Sequence, residues 1–181
     1  MANEKKLDCV ILGLLSHEDL TGYEIKKRID TALKFFWHAS FGSIYPTLRE
    51  LVASGLAAKS DTAGNDRNKI RYTITGQGRR YLEGWLELPA EKDELRYETL
   101  LKLFFADGSG KETALRHIEN FEAKTKAELP YLTSAVKTLE SIRGDDKAHL
   151  YYLLTAQFGA KVYKAYLDWC EEAKNLLKGE N

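Results

Sequence analysis

Apolar residues recur at the spacing of one helix face over residues 5–15, where Leu7, Val10, Ile11, Leu14 and Leu15 fall together. Residues 16–20 break the pattern. Thr21, with Glu24 three positions on, then forms a capping box that predicts a second helix. Ile25 and Ile29 turn inward on it, and Lys26, Lys27 and Arg28 stay in water. A third helix is predicted over residues 40–56, which read SFGSIYPTLRELVASGL. Its apolar stripe is Ile44, Leu48, Leu51 and Val52, and its opposite face carries Ser43, Tyr45, Thr47, Arg49 and Glu50. Ser40 or Ser43 can supply the cap. A cap at Ser43 would put Pro46 at N3, where its missing N–H costs nothing. Gly55 stands where a left-handed helix stop is expected, with Leu56 as its hydrophobic partner.

The period then changes from helical to alternating. Residues 57–60 are strand-compatible, residues 61–69 are polar with Gly64 and Asn65 as turn formers, and residues 70–74 alternate. In that last run Ile70, Tyr72 and Ile74 face one side, and Arg71 and Thr73 the other. Helix, strand, charged loop, strand is the layout of a winged helix, whose helix enters a DNA groove while the loop reaches beside it. Thr75 can cap a further helix with Tyr81, Leu82, Trp85 and Leu86 on its apolar side and Pro89 at its end. The polar stretch 87–93 is the best linker candidate, so the boundary is expected near residue 88. The expectation is mainly α with a small two-stranded β wing. A winged helix-turn-helix DNA-binding domain would occupy residues 1–88, and a helical domain for dimerisation and effector binding residues 89–181.

The second half reads as helices. Residues 94–106 carry Leu95, Leu100, Leu101, Leu103, Phe104 and Phe105, and Gly108 breaks the run. Ser109 and Glu112 are spaced as a second capping box. From Leu115 a stripe of Ile118, Phe121, Leu129, Leu132, Val136 and Leu139 suggests a long helix with coiled-coil character, which Pro130 should kink or split. The last helix spans about 146–177. One row runs Tyr151, Leu154, Phe158, Val162, Ala165, Trp169, Ala173 and Leu176, and a second row of Leu150, Leu153, Tyr163, Tyr166 and Cys170 widens it. Faces this wide exceed what so small a domain can bury, and a homodimer interface is the natural solution, with a monomeric helical bundle folded back on the winged helix as the alternative.

Charge sharpens this division. The chain is neutral, but residues 1–86 are net +3 and residues 87–181 net −3, and residues 59–80 hold six basic side chains against two acidic ones. A local patch of that sign suits phosphate contact. Cys9 and Cys170 lie in apolar helical patterns, as expected of buried thiols in a reducing cytosol. No signal peptide opens the chain and no stretch of about 18 apolar residues would span a bilayer, so a cytoplasmic location without membrane contact is expected. The four histidines are scattered and no phosphate-binding glycine loop follows a strand. No enzyme, metal or cofactor is therefore expected.

Three strings carry a resemblance. GSIYPTLRELVASGL resembles the recognition helix of the PadR family of transcription regulators, LTGYEIKKRI (residues 20–29) its second helix, and RYTITGQGRRYL (residues 71–82) its second wing strand and following helix. They stand in the family's order, and with the C-terminal half they cover nearly the whole chain. At this length the chain is similar to the longer branch, which dimerises through a C-terminal helical domain and includes regulators of phenolic-acid detoxification genes. The resemblance implies a repressor, bound to double-stranded operator DNA and released by a small aromatic effector.

By role, Ser43, Tyr45, Pro46 and Arg49 form the expected recognition-helix set, with Thr47 a further polar candidate. Arg67, Lys69 and Arg71 form the wing set. Thr21 and Tyr23, at a helix start with exposed N–H groups, are phosphate candidates. Trp37, Phe35, Tyr151 and Trp169 are the effector candidates, and the same aromatics are equally compatible with a plain core. A winged helix that binds proteins without reading DNA is the alternative.

Overall fold

The computed structural model describes residues 2–37, 39–61, 70–90, 96–144 and 146–179. It divides into two compact units, residues 1–93 and 94–181.

The first unit contains α1 (Ala2–Leu15), β1 (Leu20–Thr21), α2 (Gly22–Arg28), a π-helical turn (Ile29–Leu33), α3 (Phe41–Ala53), β2 (Ala57–Asp61), β3 (Ile70–Ile74) and α4 (Gly76–Glu87). Its core joins Ile11, Leu12 and Leu15 of α1 to Ile25 of α2, to Ile44, Leu48 and Leu51 of α3, and to Tyr72 and Ile74 of β3. The sheet has three antiparallel strands in the order β1-β3-β2, not the expected two. The added strand is two residues long, too short to show alternation, and pairs Leu20 with Tyr72 and Thr21 with Arg71.

Ser40, not Ser43, caps α3 by accepting the Ser43 N–H. Pro46 therefore lies inside the helix, at its sixth position, where it removes the N–H that would have bonded the Gly42 carbonyl. The helix ends as expected. Gly55 has φ +73, its N–H donates to Val52 O at 3.1 Å, and Leu56 N–H donates to Leu51 O at 2.9 Å, a complete Schellman motif. Thr75 caps α4 by accepting the Gly78 N–H, and its own hydroxyl donates to Gly55 O at 2.7 Å. Of the expected apolar side of α4 only Leu82 is buried. Tyr81, Trp85 and Leu86 are exposed.

The second unit contains α5 (Glu98–Phe104), a 3-10 turn (Ala106–Gly108), α6 (Lys111–Ser141) and α7 (Lys147–Gly179). The second capping box does not form. Ser109 donates its hydroxyl back to Ala106 O, and Gly110, at φ +80, takes the cap position of α6. Pro130 does not split α6, which runs unbroken for 31 residues, about 46 Å. Two residues beyond Pro130, Leu132 is buried against Gly159 of α7, where a Cβ would stand 3.0 Å from Leu132 Cδ2. Of the second row on α7, Leu153 and Cys170 are buried, whereas Leu150 is exposed. Tyr151, Leu154, Phe158 and Leu176 of the first row are exposed.

Candidate nucleic-acid interface

The outward face of α3 is built on a fully buried inner one. Ile44 and Leu48 are wholly inaccessible, which fixes the helix's rotation and leaves Tyr45, Arg49 and Glu50 exposed. Ser43 is half-buried and its hydroxyl donates to Ser40 O at 2.9 Å, and Pro46 is half-buried. Thr47 departs from the expected outward face. It is buried, three residues on from Ile44 and so on the same stripe, and its hydroxyl donates to Ser43 O at 2.8 Å.

Tyr45 joins α3 to α2. A Cβ on Gly22 would stand 2.6 Å from Tyr45 Cε1 and 2.9 Å from Cζ, so the ring can occupy this place only against glycine. Tyr45 and Arg49 also lie within electrostatic reach of Tyr72 in β3. Burial pushes the Tyr72 phenol above its ordinary range, Tyr45 adds to the rise and Arg49 opposes it. The start of α2, the outer face of α3 and the root of the wing thus meet at Tyr45. Sequence reading missed Gly22, although a glycine opening a capped helix is itself a signal of close approach.

At the start of α2 the capping box is complete. Glu24 N–H donates to the Thr21 hydroxyl at 3.2 Å and Thr21 N–H to Glu24 Oε2 at 2.8 Å. Thr21 is buried, whereas Tyr23 is 64% exposed. Arg71 of β3 stands opposite Thr21. Its Nη1 donates to Asp19 O at 2.6 Å and its Nη2 lies 3.5 Å from Glu24 Oε1. Arg67 and Lys69 fall outside the described residues. Arg79 Nη1 donates to Ser16 O at 3.3 Å.

Two of the four effector candidates lie in each unit. Phe35 and Trp37 follow the π-helical turn of the first unit, where Trp37 packs on the core. Its Nε1 is buried, with no acceptor among the described residues. Tyr151 and Trp169 share α7 but stand about 27 Å apart along its axis, with Tyr151 exposed. Trp169 meets Phe121 edge-on at 5.9 Å, within a cluster that also holds Tyr97, Tyr163 and Tyr166. Tyr97 and Tyr166 share a hydrogen bond between hydroxyls, and Tyr163 donates to Glu128 Oε2 at 2.8 Å. Burial, then the Glu128 carboxylate, pushes the Tyr163 phenol far up, so it stays a protonated donor. Among the described residues no three metal-ligating side chains gather, and no helix is long and apolar enough to cross a membrane.

Residues 11–84 match the transcriptional regulator PadR-like family, and residues 95–178 match the virulence activator alpha C-terminal family. The negative transcriptional regulator PadR of Bacillus subtilis is 29% identical over 179 residues, covering 94% of this chain and 97% of that protein. The crystal structure of Bacillus subtilis PadR in complex with operator DNA aligns with TM-score 0.79 at 28% identity, over 94% of this chain and 98% of that one. The structure of the same protein in complex with p-coumaric acid aligns with TM-score 0.75 at 26% identity, over 95% and 98%.

Proposed function

From the PadR-like family domain of residues 11–84 and the likeness to Bacillus subtilis PadR along most of the chain, we propose that this protein is a PadR-family transcriptional regulator, a sequence-specific repressor acting in the cytoplasm. The observation that carries this reading is the outer face of α3, where Tyr45 and Arg49 stand exposed on a helix whose inner face is locked in the core. Ser43, Tyr45, Pro46 and Arg49 are the recognition-helix set. Tyr23, with the start of α2 behind Thr21, and the wing cations Arg67 and Lys69 hold phosphates. Residues 1–88 bind DNA, and residues 89–181 carry dimerisation and effector response.

A homodimer would cover the exposed members of the first row on α7, Tyr151, Leu154, Phe158 and Leu176. Two copies would read half-sites about one helical turn apart, roughly 34 Å. Because Bacillus subtilis PadR is known bound to p-coumaric acid, a small aromatic acid is the effector class for this chain. Such a ligand releases DNA to the extent that it binds the DNA-free arrangement more tightly.

The test is binding to the chain's own upstream promoter DNA at two salt concentrations, for the wild type and Arg49→Ala. Tight, salt-sensitive binding that collapses in the variant is expected. Equal affinity for random DNA would point instead to a winged helix that binds proteins. Titration with p-coumaric acid in the same assay is expected to weaken binding. Unchanged affinity and unchanged tryptophan fluorescence would remove this effector class.

A further inference from the structure

We propose that Arg71 is a positioning residue for DNA recognition, which fixes the root of the wing to the start of α2 rather than neutralising a phosphate. The proposal rests on the DNA-binding reading above and assigns this one wing cation a different task.

β1 is two residues long and pairs with β3 at only two positions, Leu20 with Tyr72 and Thr21 with Arg71. A ladder that short adds little of its own. The Arg71 guanidinium supplements it from both sides. Nη1 reaches Asp19 O, the residue just before β1, at 2.6 Å, and Nη2 faces Glu24 Oε1 at 3.5 Å. The other oxygen of that carboxylate holds the Thr21 N–H at 2.8 Å. Asp19, Thr21, Glu24 and Arg71 thus close a ring around the junction of β1, β3 and α2. The same junction holds Gly22, the seat of Tyr45.

Charge points the same way. An unmatched Glu24 carboxylate beside a phosphate backbone would repel it. Arg71 offsets that charge within the protein, so the pair adds little to counterion release when DNA binds. The geometry also needs a guanidinium. Two donors on one planar fork reach a carbonyl and a carboxylate together, which a single ammonium does not reproduce.

The experiment compares wild type, Arg71→Ala, Arg71→Lys, Glu24→Gln and the Arg71→Ala/Glu24→Gln double variant. Each is titrated against the duplex that the wild type selects from a randomised pool, and against a scrambled duplex of equal composition. Several salt concentrations are used, at a temperature where circular dichroism shows every variant folded. A positioning role lowers the preference for the selected duplex by roughly 2- to 30-fold in all three single variants. The double variant is then no worse than the worse single one, and in that charge-balanced variant the slope of log affinity against log salt stays at the wild-type value. A phosphate contact instead weakens both duplexes equally, lowers the slope by about 1 in Arg71→Ala and in the double variant alike, and leaves Arg71→Lys close to wild type. That result overturns the proposal, as does a fall in melting temperature with the preference unchanged. A wild type that selects no duplex overturns the DNA-binding reading itself, and this proposal with it.

Discussion

Tyr45 lies so close to Gly22 that one added methyl group would meet its ring at 2.6 Å. The atoms in the way are the far end of a half-exposed side chain, not backbone. Gly22→Ala should therefore turn the ring aside at little cost, within about 1 kcal/mol of wild-type stability. Operator affinity should fall more than stability does, because the displaced ring belongs to the proposed reading face. Chemical denaturation and anisotropy titration of the same sample check the two effects separately.

Gly78 offers the opposite case. A Cβ there would stand 2.0 Å from the Leu56 carbonyl oxygen and 3.0 Å from Ile74 Cγ1, and the oxygen is held as an acceptor by Thr75. Gly78→Ala should lose about 1–3 kcal/mol by overpacking, against a helix-propensity gain of about 1 kcal/mol. A net drop in the denaturation midpoint is expected, and an unchanged or raised midpoint would contradict this packing.

The second unit should be sensitive to acid through Glu122. Hydrogen bonds from Lys126 and Lys174, the latter at 2.5 Å, hold its carboxyl below the ordinary range. A carboxylate with a lowered folded pKa stabilises above its unfolded pKa, and that contribution disappears as pH falls through the folded value. Melting temperature should thus decline on acidification below the usual glutamate range. Glu122→Gln should start lower near neutrality and decline less steeply. The Glu122 hydrogen bond raises the Lys174 pKa, so its contribution is complete at neutrality and fades only in strong base.

Both thiols should be silent in the native protein. Burial, with Asp8 adding to it, pushes Cys9 up to about 11, and burial raises Cys170 as well. Since the thiolate is the reacting form, a thiol reagent at neutral pH should label neither cysteine until denaturant is added, and then both. Rapid labelling of the folded chain would show that one of these helices opens.

How well the fold could be read depended on how local each determinant is. The Thr21–Glu24 box and the Gly55 stop are short-range devices, and both are found where their spacing put them. Ser109 and Glu112 have the same spacing, yet Gly110 between them adopts a positive φ and takes the cap. Thr47 was legible in principle, since it follows Ile44 by three residues, but its residue type suggested the wrong side. On α7 the two apolar rows have the same period, so nothing in the spacing tells which members of each row α6 covers. The Tyr45–Gly22 contact joins two helices across 23 positions of chain, and the Arg71–Asp19 bond spans 52. Neither has a local signature.

Thr75 has a consequence for engineering. One hydroxyl donates to the Gly55 carbonyl that follows α3 and accepts the N–H that opens α4, on the residue directly after β3. The exit of α3, the base of the wing and the entry to α4 are therefore pinned at one point, away from the outward side chains of α3. Arg49 and Glu50 take no part in that joint, which makes them exchangeable parts on a fixed mount. A new operator preference could be grafted onto α3 by replacing those side chains, with the tyrosine on Gly22 kept as the alignment mark.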